Sequence, residues 1–121
     1  MLPTNYDPET INLSDLLVQR RLQLQTELEG ILGKRNVYFQ PPQNTQIKYP
    51  CFIYNRSTVY SIKADDKPYL VKGHYSVTYI DPNPEACIAI MSVLLNHFDY
   101  ISHERSFTSE NLNHDVYNLY Y

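Results

Sequence analysis

Apolar positions recur along this chain with two different periods, and the switches between them divide it into elements. Leu13, Leu16, Leu17, Leu24, Leu28 and Ile31 fall on one stripe at helical spacing, with Leu32 at its margin. Asn12 stands where an N-cap belongs, Asp15 lies near the positive end of the helix dipole, and Gly33 with Lys34 and Arg35 closes the helix. Val18 and Leu22 lie off that stripe, four apart on the opposite side, and are the first candidates for a subunit contact. Residues 1–12 carry Pro3 and Pro8 with little apolar weight and predict an extended arm. The remainder, 13–121, predicts a single domain.

Period-2 patterns follow. Val37-Tyr38-Phe39 predicts a short strand, and Gln40-Pro41-Pro42-Gln43-Asn44 a loop that no regular element can cross. Tyr49-Pro50 leads into a strand from Cys51 to about Arg56, and Val59 to Lys63 predicts the next. Ala64-Asp65-Asp66-Lys67-Pro68 reads as a turn whose adjacent acids are solvated rather than metal-binding. From Gly73, Tyr75, Val77 and Tyr79 share one face of a strand, with His74, Ser76, Thr78 and Ile80 on the other. Asp81-Pro82-Asn83-Pro84 stops it, and Asn83 caps a helix with Pro84 at its first position. That helix is apolar almost all round, from Ala86 and Cys87 to Leu94 and Leu95, so it needs cover from the first helix, from another subunit, or from both. Tyr100 to Phe107 predicts a strand, and Asn111 to Tyr121 a second strand or a turn and tail. Val116, Tyr117, Leu119, Tyr120 and Tyr121 would give that end adhesive surface. The expected class is α+β: an antiparallel sheet of four to five strands with two main helices packed on one face.

Composition sharpens this only in places. Twelve residues are Tyr, four Phe and none Trp, while charged residues make up 19%. A tyrosine-rich, charge-poor surface suits protein–protein contact, although Tyr is also an ordinary strand residue. A net charge of −3 argues against a nucleic-acid binder held by phosphate contacts. Cys51 and Cys87 share no metal or redox spacing and read as two buried free thiols. The polar start, Met1 to Glu9, predicts no signal peptide, and the apolar run 86–95 is too short to span a bilayer, so a soluble protein made inside a cell is expected.

Catalytic chemistry is sparse. Three glycines leave no phosphate loop or dinucleotide turn, and neither G-x-S-x-G nor H-E-x-x-H occurs. His74, His97, His103 and His114 stand at no metal-ligand spacing. A triad could assemble from His103 or His114 with Glu104 or Asp115 and Ser102, Ser106 or Ser109, but such residues also sit at ordinary strand ends. Tyr60, Lys63, Lys67, Tyr69 and Lys72 interleave like a single-strand binding face, which Asp65 and Asp66 spoil electrostatically. No catalytic residue, cofactor or metal is assigned, and an enzyme is not expected.

The whole pattern is more telling. A capped N-terminal helix leads to Tyr49-Pro50, then to Ala64-Asp65-Asp66-Lys67-Pro68-Tyr69, to Val77-Thr78-Tyr79-Ile80-Asp81-Pro82 and a helix, and to the closing His114-Asp115-Val116-Tyr117-Asn118-Leu119-Tyr120-Tyr121. From Leu13 to Tyr121 this resembles small virion proteins of long-tailed bacteriophages, and in size and element order it is similar to tail terminator (tail-completion) proteins of the neck. The resemblance implies a homo-oligomeric ring, usually a hexamer, that caps the tail tube, docks onto the head–tail connector and lets DNA pass without specific binding. It also implies a virion location after synthesis in the host cytoplasm. Asp99, Glu104, Glu110 and Asp115 are then the candidate lumen acids, and no family residue of known chemistry carries over. The alternatives are another neck adaptor, a tail-tube subunit (for which a long tube-forming hairpin is missing from the sequence reading), or a small hydrolase or nucleic-acid-binding protein.

Overall fold

The computed structural model of the chain describes residues 13–64 and 67–121, with residues 13, 60–64 and 67–71 described for their backbone only. The expected arm, the Asn12 cap and the Asp65-Asp66 pair lie outside the described residues. The elements are α1 (Leu13–Leu32), β1 (Val37–Phe39), β2 (Cys51–Ala64), β3 (Lys67–Asp81), α2 (Pro84–His97), β4 (Ile101–Ser109) and β5 (Leu112–Tyr120). The class is α+β, as expected.

Local chemistry sets the helix ends. Gly33 takes a positive φ of 74° and donates its N–H to the Glu29 carbonyl at 2.8 Å, closing α1 as a C′ glycine does. Asn83 accepts the Glu85 N–H at 3.0 Å, and Pro84 occupies the first turn of α2. At the other end of the sequence's second half, Glu110 and Asn111 form a two-residue hairpin loop with φ of 52° and 64°. Both residues are left-handed, the conformation whose twist matches paired strands.

The five strands lie in the order β1-β2-β3-β5-β4. Their pairing corrects the expectation of a purely antiparallel sheet, because β1 runs parallel to β2, with Val37 opposite Phe52 and Phe39 opposite Tyr54. The proline-bearing loop after β1 carries the chain back to begin β2 at the same end. It is tied there by Gln40 N–H to the Tyr54 carbonyl at 2.9 Å and by Lys48 N–H to the Tyr38 hydroxyl at 3.1 Å. A second correction concerns length. The two strands expected at 51–56 and 59–63 are one strand of 14 residues, joined through a bulge between Arg56 and Thr58, and β3 extends to 15 residues. The bulge absorbs one residue and lets pairing continue past the polar Asn55-Arg56-Ser57 stretch. The long hairpin that the sequence reading lacked is therefore present.

One core joins the layers. Leu24 and Leu28 of α1 and Cys87 and Leu94 of α2 pack with Phe52, Tyr54, Tyr75, Val77, Tyr79, Tyr117 and Leu119. Tyr54 is anchored twice: its hydroxyl donates to Gln25 Oε1 at 2.7 Å and accepts from Arg21 at 3.4 Å. On α1, Val18 and Leu22 are 51% and 49% exposed, whereas Leu24 and Leu28 are fully buried. At 3.6 residues per turn the two pairs lie roughly 120° apart around the helix. Leu28→Ala is therefore expected to cost about 2–5 kcal/mol, and Leu22→Ala less than about 0.5 kcal/mol, in urea unfolding. Equal costs would mean that α1 docks through a different face.

Candidate functional site

The site grows from α2. One side of the helix enters the core through Cys87 and Leu94, with Ile90 and Met91 partly buried against it. The other side does not. Ile88 is 69% exposed, and Val93 and Leu95 remain exposed as well. The first helix gives α2 little cover, and the two are linked by Glu27 and His97 at 3.1 Å near the C-terminal end of α2. Pro84, Ile88, Met91 and Leu95 recur at the four- and three-residue spacings of one helical ridge.

Beside this ridge runs a groove of about 300 Å³, bounded by Pro84, Ile88 and Met91 on α2 and by Phe107 and His114 on the β4–β5 hairpin. Phe107 stacks on His114 with ring centroids 4.5 Å apart and an angle of 12°, and the Arg105 guanidinium lies 5.6 Å from the Phe107 ring centroid. Phe107 is 41% exposed, so the groove has an apolar wall that faces water. Cys87 and Asp115, both buried, also line the groove.

Asp115 was expected in a lumen, and its burial corrects that expectation. Its carboxylate accepts the Ser106 hydroxyl in a very short hydrogen bond and sits 3.1 Å from His103 Nε2, across the bulge between His103 and Arg105. His103 Nε2 is also 3.0 Å from Ser106 Oγ. The three anticipated triad members do meet, but in the wrong order. A relay places serine on one imidazole nitrogen and the acid on the other. Here the serine proton goes to the carboxylate, and a single nitrogen faces both partners.

A second chain of hydrogen bonds was not anticipated. Ser57, the bulged residue of β2, places Oγ 2.6 Å from His74 Nδ1, and His74 Nε2 lies 3.1 Å from Asn118 Oδ1. The Asn118 oxygen can only accept, so Nε2 carries the proton, while the one Ser57 hydroxyl proton has two acceptors in reach, Nδ1 and the His74 carbonyl oxygen at 3.1 Å. Tyr120 stacks on the imidazole at 4.6 Å. The alternation of β3 placed His74 on the sheet face opposite Tyr75, but the bulge that presents Ser57 to it leaves no mark in the sequence.

The remaining candidates divide cleanly. Val18 and Leu22 are exposed on α1. Val116, Tyr117 and Leu119 are buried at 5%, 0% and 1% within the chain's own sheet, which corrects their assignment to an adhesive surface. They belong to a strand held between β3 and β4, and the core claims them. Tyr120 stays exposed and Tyr121 half-buried. Asp99, Glu104 and Glu110 are exposed, with Glu104 paired to Arg105 at 3.4 Å. Among the described residues no His, Cys, Asp and Glu group could hold a metal ion. Comparison with protein families, with curated proteins and with solved structures finds no match.

Both thiols are free and buried, as read from the sequence. Burial, with the Asp81 charge adding, pushes Cys51 up to about 12, and burial followed by the Asp115 and Asp81 charges pushes Cys87 up to about 11. Burial likewise raises Tyr79, helped by the hydrogen bond its hydroxyl donates to Asp81, and raises Tyr117. Each of these groups is neutral in the fold and would ionise more readily unfolded. Their stabilising contribution is complete below the ordinary thiol value of 9.0 and is lost as pH climbs from there. Neither cysteine should react with a thiol reagent at pH 8 until urea is added, and the urea midpoint should fall steadily above about pH 9. Rapid labelling of the folded protein at pH 8 would contradict the burial argument.

Proposed function

We propose that this chain is a structural subunit of a bacteriophage head–tail junction. Copies form a closed ring that caps the tail tube and docks it to the head connector, the role of a tail terminator. The observation that carries the reading is the bare outer side of α2, with Ile88, Val93 and Leu95 in water. A helix of this composition is built to be covered, and the described residues do not cover its outer side. Closed rings of identical subunits bury such surfaces without leaving an open end. The resemblance in size and element order to tail terminator proteins supports the same conclusion. In this reading both helices lie on one face of the sheet. Exposed Asp99, Glu104 and Glu110 are the lumen candidates, whose negative charge would disfavour adhesion of translocating DNA. The partners are further copies of the chain, a tail-tube protein and a connector protein. The chemistry is non-catalytic, and the finished protein resides in the virion.

Native mass is the first test. A ring of six 14.2 kDa chains has a mass of about 85 kDa and shows a central hole in negative stain. A monomer that stays monomeric when phage tail tubes and connectors are added would end this reading.

Two observations favour other readings. The β2–β3 hairpin, with strands of 14 and 15 residues, is the feature expected of a tail-tube subunit. Polymerisation of the purified chain into tubes many rings long, rather than single rings, would select that role. The order Ser57–His74–Asn118 matches a nucleophile, a base and an orienting group. A hydrolase would label at Ser57 with a fluorophosphonate probe and lose the label in Ser57→Ala. Under the ring reading Ser57 stays unlabelled, and the trio only fastens the bulge to β3 and β3 to β5.

A further inference from the structure

The groove beside α2 has a polar floor whose hydrogen-bonding capacity is one-sided. Ser106 and Thr108 of β4 stand opposite Asp115 and Asn113 of β5, so strand alternation puts the four side chains on one face of the hairpin. All four line the groove, together with Ile88 and Met91 of α2. Side chains directly opposite one another on such a face are about 5 Å apart, and the neighbouring row is about 7 Å away.

The donors on this floor are already spent. The Ser106 hydroxyl donates to Asp115 Oδ1, which His103 Nε2 also approaches at 3.1 Å. Asn113 Nδ2 donates to the carbonyls of Asp81 and Pro82 at 3.1 and 3.2 Å, which fixes the amide and leaves Oδ1 as its remaining group. What is left accepts. Among the described residues no hydrogen bond reaches Asp115 Oδ2, Asn113 Oδ1 or the Thr108 hydroxyl. Asp115 is only 5% exposed, and a buried carboxylate short of donors is costly. The Cys87 thiol, which borders the groove and feels the Asp115 charge, is a weak donor.

Charge selects the same complement. Asp81 is a second buried carboxylate near Cys87, and no lysine or arginine lines the groove. A primary ammonium carries three donors, no acceptor and one positive charge. The volume of about 300 Å³ lies at the small end of ligand sites, and the α2 wall is apolar.

We propose that the groove binds a small primary amine, with its ammonium on Asp115 Oδ2, Asn113 Oδ1 and the Thr108 hydroxyl and its apolar arm along Ile88 and Met91. Charge-assisted hydrogen bonds fix the head, and burial against α2 holds the arm. The site goes beyond the ring reading and does not depend on it.

The test titrates hexylamine into the isotopically labelled full-length chain at neutral pH and follows its amide resonances. Saturable shifts are expected at Asn113, Asp115 and Ile88. Hexanol and hexanoate have the same arm without the ammonium, and hexyltrimethylammonium keeps the charge but has no N–H to give. Each should bind at least about tenfold more weakly. No saturation at the groove residues, or equal affinity for hexanol or hexyltrimethylammonium, would overturn the proposal. Asp115→Asn would disturb the fold as well as the site, since Asp115 also holds Ser106 and His103. Exposed positions therefore carry the mutational test. Thr108→Val removes one acceptor at constant shape, and Ile88→Lys sets a competing positive charge at the groove. Both should keep the urea midpoint of the parent while affinity for hexylamine falls about tenfold. Unchanged affinity in the two variants would also overturn the proposal. Native mass of the parent chain, read separately, reports on the ring alone.

Discussion

The fold depends on the way β3 changes neighbours along its length. From His74 to Asp81 it is paired on both sides, to β2 and to β5, and its inward residues Tyr75, Val77 and Tyr79 form the middle of the core. From Lys67 to Lys72 its register partners are on β2 alone. Gly73 is the seam. Its N–H and carbonyl exchange hydrogen bonds with Tyr121 at 3.1 and 2.9 Å, the last backbone contact before the ribbon leaves the sheet. A Cβ at this position would meet the Tyr75 ring at 2.7 Å, so glycine lets that ring lie back over the backbone and seal the end of the core. The adjacent row holds Ser57, His74 and Asn118, which bind β2, β3 and β5 together. A two-stranded ribbon has marginal stability alone, and this row is where it gains the support of the domain.

The tyrosines explain how the layers are held to this centre. Composition left open whether they served the core or a partner, and the answer differs by position. Tyr54, Tyr75, Tyr79 and Tyr117 are core residues, while Tyr49, Tyr100 and Tyr120 are exposed. Two of the buried ones use their polar tips, Tyr54 across elements and Tyr79 within β3. Tyr54 reaches Gln25 of α1, whose amide in turn donates to the Val37 carbonyl at 2.9 Å. Tyr79 donates to Asp81 at 2.6 Å, and the other oxygen of Asp81 accepts the Asn83 N–H at 2.8 Å, beside the cap of α2. A phenylalanine core would fill the same space without fixing where either helix begins or sits.

Local signals carried much of this architecture, and non-local ones did not. The spans of both helices, the Gly33 and Asn83 caps, the alternation through Tyr75, Val77 and Tyr79 and the free thiols were legible, because each depends on neighbours within a few residues. The parallel β1 was not, since direction follows from where a loop returns the chain. The ribbon was hidden by Ser57, whose bulge breaks the alternation without ending the strand. The apolar C-terminus was misassigned for a related reason: a run such as Val116, Tyr117 and Leu119 looks alike whether it meets a partner or the chain's own core. Asp115 is the polar counterpart, an acid whose burial depends on Ser106 and His103 approaching from another strand. Sequence did announce a helix apolar almost all round and in need of cover, because that composition is visible without knowing its surroundings, but the side that α1 leaves exposed was not legible.

What covers that helix is constrained by how the nearby sheet edge is built. Among the described residues one edge of β4 is unpaired, and such edges invite strand addition. Here the edge is blunted in the middle, where a bulge follows His103 and the Glu104–Arg105 pair occupies the strand. A regular ladder from a neighbour could not run past that point without losing register. The apolar surface at this end lies instead on side chains, with Phe107 on the strand facing the ridge of Ile88 and Met91 across the groove. The apolar contact surface at this end is therefore the side-chain groove rather than the backbone edge. The same features that protect β4 from indiscriminate pairing therefore select what kind of surface can dock beside it.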